Sequence, residues 1–476
     1  MLDRGTHNEA ELQYADARAT IDRLVTAREL GYVYTFPDKR TYLSIDQPAE
    51  FITKAWEGYE GEVGLYVHTP FCTIKPPPDG VIEEMHERGI ETEGRDHLCA
   101  YCNLFTTIVK DVPRGYTDDV IAETELYKQL FGRRSLEASS VYFGGGTPTI
   151  LSINDLQRTY DAVESIVGKF PDDIERAIET APDLIDREKL EAIRAIGFNR
   201  VSVGVQTFDE RVLHYTGRKY DPRLGYQTVK DALEIGFPNV NVDIIMGLPG
   251  STQGTFLQDI AIVRELSPQT VTLYQDRTQP VTRFGKMQQA GILPSVPPDE
   301  IYAWTKEADK LLAADGYERQ SLTAWGKNGG GYRQGENIYK SIPILGIGAG
   351  ARSHAPNGHY STEYTVSTRL TNYLVGKWRE SVQRGEFPEI HGIVMTPDLK
   401  IRERAVLGLM SPDGVSRVDL QGKFLIELQA LKDAEMIEQE GTQWKYTELG
   451  KAYSGALATL FFGDEINHRL ANYAHR

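Results

Sequence analysis

Apolar runs rich in β-branched residues alternate six times with amphipathic stretches through the middle of the chain, and this alternation constrains the fold more than any other feature. The runs lie at residues 63–71, 140–146, 176–181, 200–206, 239–247 and 270–275, and stretches of helical spacing separate them at 118–131, 153–167, 187–196, 224–235 and 255–266. Repeated strand–helix order predicts a parallel sheet with crossover helices. Short polar or glycine-containing motifs follow the runs: Cys72, Gly144-Gly145-Gly146-Thr147-Pro148, Glu179 late in the third, Gln206, Gly247-Leu248-Pro249-Gly250, and Gln275-Asp276-Arg277. In α/β barrels the carboxyl ends of the strands build the active site, so these motifs are expected to share one face.

All three cysteines fall in one stretch, Cys72, Cys99 and Cys102. Removing residues 76–98 would leave Cys-Thr-Ile-Lys-Cys-Ala-Tyr-Cys, so that segment reads as an insertion into a three-cysteine loop. It opens with three prolines and carries seven acidic residues against two arginines, the composition of a solvated excursion, or of a lid or docking loop. Three thiolates suit a [4Fe–4S] cluster with one open iron, whereas zinc would recruit a fourth ligand such as His97, His86 or His68. A disulfide fits poorly with an odd, tightly grouped set in a chain whose start lacks a signal-peptide core.

The net charge of −16 over 476 residues offers no basic stripe for phosphate, which argues against nucleic acid as a partner. No run of 18 apolar residues occurs, so neither a membrane span nor a membrane partner is expected, and the protein is read as cytoplasmic. Four segments are expected: an N-terminal extension (1–55) with a helix at 9–30, a barrel (56–290) carrying the insertion 76–98, an accessory region (291–395), and a C-terminal module (396–476). The last combines helices at 399–410 and 422–434 with a hairpin at 436–446, a winged-helix-like pattern.

Several of these residues together resemble the radical S-adenosylmethionine (SAM) superfamily and, within it, the HemN-like proteins related to oxygen-independent coproporphyrinogen oxidase. The resemblance spans about residues 32–465. It rests on Tyr66-Val67-His68-Thr69-Pro70-Phe71-Cys72, Val141–Thr149, Asn199–Phe208, Gly217-Arg218, Asn241–Gly250 and Gly346–Ser353. It implies an α/β fold: a partial (β/α)₆ barrel with an N-terminal extension and a C-terminal accessory, winged-helix-like domain. By the same resemblance Cys72, Cys99 and Cys102 hold a [4Fe–4S] cluster. Tyr66 then packs over a first SAM that Glu179 contacts, with Gly144, Gly145 and Gly146 close to its amino group. Gln206, Arg218 and Asp243 hold a second, with Gly146 and Thr147 beside them.

Two departures narrow the family. Coproporphyrinogen oxidases carry a further cysteine where this chain has Leu104, and the related heme chaperones carry a His-Asn-x-x-Tyr-Trp stretch where it has Glu336-Asn337-Ile338-Tyr339-Lys340. The remaining resemblance is to class C radical SAM C-methyltransferases and cyclopropanases of natural-product biosynthesis, which use two SAM molecules. A small-molecule substrate and an electron donor such as flavodoxin or ferredoxin are then the expected partners. His68, Tyr274, Asp276 and Arg277 are the candidates for proton transfer. The alternative is a coproporphyrinogen-type oxidative decarboxylase or a heme-binding chaperone of the same family.

Overall fold

In the computed structural model, residues 4–27, 31, 33–75, 80–91, 97–132, 134–276 and 280–473 are described. Six parallel strands form the centre: β1 (Gly61–Thr69), β2 (Leu136–Gly145), β3 (Glu175–Thr180), β4 (Arg200–Gln206), β5 (Asn239–Met246) and β6 (Thr270–Gln275), each paired with its successor. The crossovers are α1 (Tyr116–Phe131), α2 (Ile153–Val167), α3 (Arg187–Ile196), α4 (Pro222–Ile235) and α5 (Gln253–Leu266). Local chemistry sets several of their ends. Ser152 and Asp186 accept from Asp155 N and Lys189 N at 3.1 and 2.9 Å, and Thr252 and Thr255 form a reciprocal capping box. Gly236, left-handed at φ +86°, stops α4.

Strand residues divide by period two. On β4, Val201, Val203 and Val205 are buried in the core shared with the helices, while Arg200, Ser202 and Gln206 occupy the alternate positions, facing the lumen. Burial of that helix-facing layer is the main stabilising term, at about 2 kcal/mol per branched side chain.

The accessory region is not a separate appendage, because it extends the central sheet on both sides. Ile344–Ile347 runs parallel to β1, continued antiparallel by Arg352–Ala355, Gly358–Ser361, His391–Val394 and Leu43–Ser44. Beyond β6 come Ala324–Gly326 and Glu318–Arg319, both antiparallel. The two ends do not pair among the described residues, so the barrel is partial. The helix Arg333–Tyr339 plugs its floor: Asn337 donates to Ser139 and Ser140 at 2.9 and 2.8 Å, and Ser140 donates to Gln334 Oε1 at 3.0 Å.

A second core joins the two chain ends. Helices Pro397–Gly408, Leu425–Asp433 and Glu448–Leu457 flank a small sheet of Val415–Ser416, Gln443–Tyr446 and Ile437–Glu440. The N-terminal helix Arg4–Thr26 lays Ala17, Ile21 and Leu24 into the core of this module, and Tyr14 donates to Asp433 at 2.7 Å. No helix among the described residues is long and apolar enough to cross a membrane.

Candidate functional site

Pro70 ends β1, and the chain continues through Phe71–Cys72, which pairs in parallel with Thr107–Ile108. The loop between carries Cys99 and Cys102. Cys102 N donates to Cys99 O at 3.0 Å, while Ala100 is pinned on both sides, its N–H to Thr216 O at 2.9 Å and its carbonyl from Phe284 N at 3.0 Å. The insertion leaves and re-enters this loop through one main-chain hydrogen bond, Lys75 N to His97 O at 2.7 Å. Its helix Val81–Glu87 is less solvated than its charge suggests, since Met85 is fully buried, and Lys286 Nζ donates to Glu91 O.

All three cysteines are free thiols. Cys72 Sγ lies 3.3 Å from Thr147 Oγ1. Burial pushes the Cys72 thiol up to about 12, with Cys99 and Cys102 adding to the rise. Burial acts on Cys99 as well, but Arg218 and Lys75 outweigh it and hold that thiol below its ordinary range. Lys75 is itself buried and paired with Asp183. Among the described residues no three His, Cys, Asp or Glu side chains gather around a single ion position. A cubane takes its thiolates on separate irons and so accepts a wider triangle. Arg218 Nε, buried and without a partner beside Cys99, leaves a donor free for an incoming anionic group. Three free thiols and this spare donor fit a cluster with a carboxylate-bearing ligand.

The glycine run closes β2. Gly145 is left-handed at φ +110°, and a Cβ there would stand 2.7 Å from His68 Cε1. One on Gly146 would stand 2.6 Å from Thr106 Oγ1. The space a side chain would take is therefore filled by the end of β1 at Gly145 and by the cysteine-loop segment at Gly146, and Gly145 N donates to Glu179 Oε2 at 3.2 Å. Tyr142, two residues before Gly144 on the same strand face, donates to Glu179 Oε1 at 2.7 Å. Burial pushes Glu179 up to about 7, and Asp243 adds to the rise. Tyr66 stacks on Tyr142 at 6.2 Å and donates to His68 Nδ1 at 2.8 Å. Because the Phe105 carbonyl, 2.8 Å from Nε2, can only accept, His68 carries its proton on Nε2 and both ring nitrogens are engaged. Burial lowers His68 to about 4.

On β4, Gln206 is left-handed at φ +73°, where the ladder to β5 slips register. Such a backbone costs about 1–3 kcal/mol and persists where surroundings enforce it. Arg218 donates to the Gly204 carbonyl there. Asp243 accepts from Ser202 and Asn241 at 3.1 and 2.7 Å, and burial raises it. Tyr274 and Asp276 stand at the end of β6, in the wall of a cavity of about 530 Å³ that Tyr101 and Asn103 of the cysteine loop also line. Its far wall comes from the helix Pro298–Ala314 and from Lys451 and Ala452 of the C-terminal module. Arg277 lies outside the described residues. Sequence reasoning missed Tyr142, Lys75–Asp183 and this far wall. Only Tyr142 left a signal, its shared face with Gly144.

A model of the radical SAM superfamily matches residues 92–262. Over 410 residues the chain is 25% identical to the heme chaperone HemW of Bacillus subtilis (strain 168), covering 84% of this chain and 99% of that one. Over 389 residues it is 28% identical to the heme chaperone HemW of Synechocystis, covering 79% and 86%. Coproporphyrinogen III oxidase (HemN) from Escherichia coli, a radical SAM enzyme, superposes with a TM-score of 0.72 at 22% identity, over 90% of this chain and 96% of that one. The superfamily model thus matches about a third of the chain, and the superposition on HemN shows that the two share a fold. The relatives it resembles along most of its length are named heme chaperones. Similarity to the radical SAM superfamily is consistent with a [4Fe–4S] cluster and SAM.

The expectation of a class C C-methyltransferase or cyclopropanase of natural-product biosynthesis is overturned by these relatives, which carry the heme chaperone name along most of the chain. That expectation leaned on Leu104 and on the stretch Glu336–Lys340. These change side chains and leave the scaffold as it is: Glu336 is a partly exposed residue of the floor helix, paired with Arg333 at 2.9 Å.

Proposed function

We propose that this protein binds heme in the cavity beside the cysteine loop, in the manner the names of its relatives indicate, with a SAM-charged [4Fe–4S] cluster next to it. Cys72, Cys99 and Cys102 are the proposed cluster ligands. Tyr66, Gly145, Gly146 and Glu179 are proposed to seat SAM, and Gln206, Arg218 and Asp243 a second SAM with Gly146 and Thr147 beside them. When bound, cluster and SAM supply reductive C–S cleavage to the 5′-deoxyadenosyl radical, with the electron drawn from a flavodoxin- or ferredoxin-type donor. Glu179, once ionised, is suited to hold an ammonium group against the Gly145 backbone.

One observation carries the heme reading: the cavity of about 530 Å³, walled by Ile245, Leu273, Tyr274 and Trp325, with Lys306, Lys310, Arg319 and Lys451 in its lining beside Asp276, Asp309 and Glu448. An apolar slot with cations among its polar groups suits a flat molecule that carries carboxylates. With Glu336 in place of the chaperones' histidine, the axial ligand is proposed to come from a cavity tyrosine, Tyr101 or Tyr274, a ligand type known for heme iron.

Heme titration of anaerobically reconstituted protein tests this. A saturable Soret shift at one heme per chain is the expected result. Protein that carries its cluster, cleaves SAM and leaves the heme spectrum unchanged would refute it.

A further inference from the structure

Lys39 and Arg352 form a pair of cations at the barrel mouth, and among the described residues neither has an ion-pair partner of its own. Lys39 lies in the N-terminal strap that crosses the mouth, where Tyr34 meets Tyr332, hydroxyl to hydroxyl, at 3.1 Å. Its ammonium stands 3.3 Å over the ring of Tyr364, whose hydroxyl donates to Asn103 O in the cysteine loop at 3.2 Å. Arg352, on the strand following the Gly346–Gly350 glycines, donates to Thr35 Oγ1 of the same strap. Arg352 acts on Lys39, Lys39 on His68, and Arg352 on Tyr66, so both border the proposed SAM-facing wall.

The nearest carboxylate, Asp38, is already taken. It accepts from Arg40 N at 2.8 Å, from Arg40 Nε at 2.9 Å and from Arg40 Nη2 at 3.2 Å. Among the described residues neither Lys39 nor Arg352 forms an ion pair, and the one carboxylate that attracts both, Asp38, is the one Arg40 pairs with. Two neighbouring, partly desolvated cations that share an already paired carboxylate repel each other and are costly to hold. An anion placed between them relieves both, through charge-assisted hydrogen bonds from ammonium and guanidinium.

We infer that Lys39 and Arg352 form a carboxylate-binding subsite at the barrel mouth, which holds the acid group of a ligand seated under the N-terminal strap. The subsite stands on its own geometry, whereas assigning the carboxylate to heme rests on the proposed function. SAM offers the same chemistry through its amino-acid carboxylate.

The test uses cluster-loaded protein, with Lys39→Met and Arg352→Gln, and inorganic sulfate as the first probe. At constant ionic strength, sulfate in place of chloride should raise the melting temperature of the native chain saturably, by a few degrees, and leave both variants unmoved. Without the probe, Lys39→Met should melt no lower than the native chain, because it removes repulsion and keeps the bulk over Tyr364. An equal response to sulfate in all three proteins, or a Lys39→Met variant that melts well below the native chain in both salts, overturns the subsite. A second arm finds the source by comparing Kd for SAM, for heme and for heme dimethyl ester. About tenfold weaker heme binding in the variants, with ester binding unchanged, assigns the carboxylate to heme. An equal loss for SAM alone assigns it to SAM, and a loss for neither also overturns the inference. Failure of heme to bind any of the proteins counts against the proposed function only, since the sulfate response reads the subsite separately.

Discussion

Buried carboxyl groups give the residue scale its clearest predictions. Glu403 faces His359 at 3.5 Å, and burial pushes it up to about 8 from an ordinary 4.5. Between those two values the unfolded chain has released a proton that the folded chain still holds, so this group lowers stability as pH rises through the window. Glu403→Gln should remove that loss. Urea unfolding at about pH 5 and about pH 8 should show the variant gaining at least about 1 kcal/mol on the native chain between the two. A pH-independent difference would show that Glu403 is ionised in the folded protein. At Gly146 the constraint is steric. Gly146→Ala drives a methyl into Thr106 and the Phe71 carbonyl, and the segment that must yield leads directly into Cys72. Iron content after reconstitution should fall by most of its value, and melting should drop by the equivalent of about 2 kcal/mol.

At the scale of elements, the Lys75–His97 hydrogen bond makes the insertion separable from the loop that carries it. Joining Lys75 to Leu98 through a two-glycine link should leave iron binding intact and cost about 2 kcal/mol for the lost burial of Met85. A colourless product after anaerobic reconstitution would show that the segment shapes the cysteine loop. The elements also show what the residues announce in advance. Strand 200–206 and helices 153–167 and 187–196 stand where periodicity places them, because Ser152 and Asp186 cap and Gly168 and Gly197 stop the helices. The run 63–71 is read two residues too late, since the strand starts at Gly61 and Pro70 breaks the ladder after Thr69. The short strands between 318 and 394 leave no usable periodicity in two to four residues, and their partners are set by distant chain. The cysteine loop, the glycine run and Glu179 are legible because each lies at or just after the end of its own strand; the cavity is not, because its walls come from segments far apart in the chain.

For the whole molecule, the shared core of the N-terminal helix and C-terminal module predicts how the protein comes apart. Removing residues 1–27 uncovers Leu428, Leu431 and neighbouring apolar side chains of the module, and leaves the central sheet untouched. Limited proteolysis should then cut first after residue 396 and spare a fragment spanning the six parallel strands. Uniform digestion would mean that the sheet depends on the module. The pairing of β1 with Ile344–Ile347 has a different bearing, on how the chain is made. The first strand of the barrel leaves the ribosome long before the strand that covers its outer side. Until translation passes residue 347, a row of unpaired amides and carbonyls stays open to any passing edge. Nascent chains stalled before that point should therefore aggregate or recruit holdases, and those released just beyond it should not.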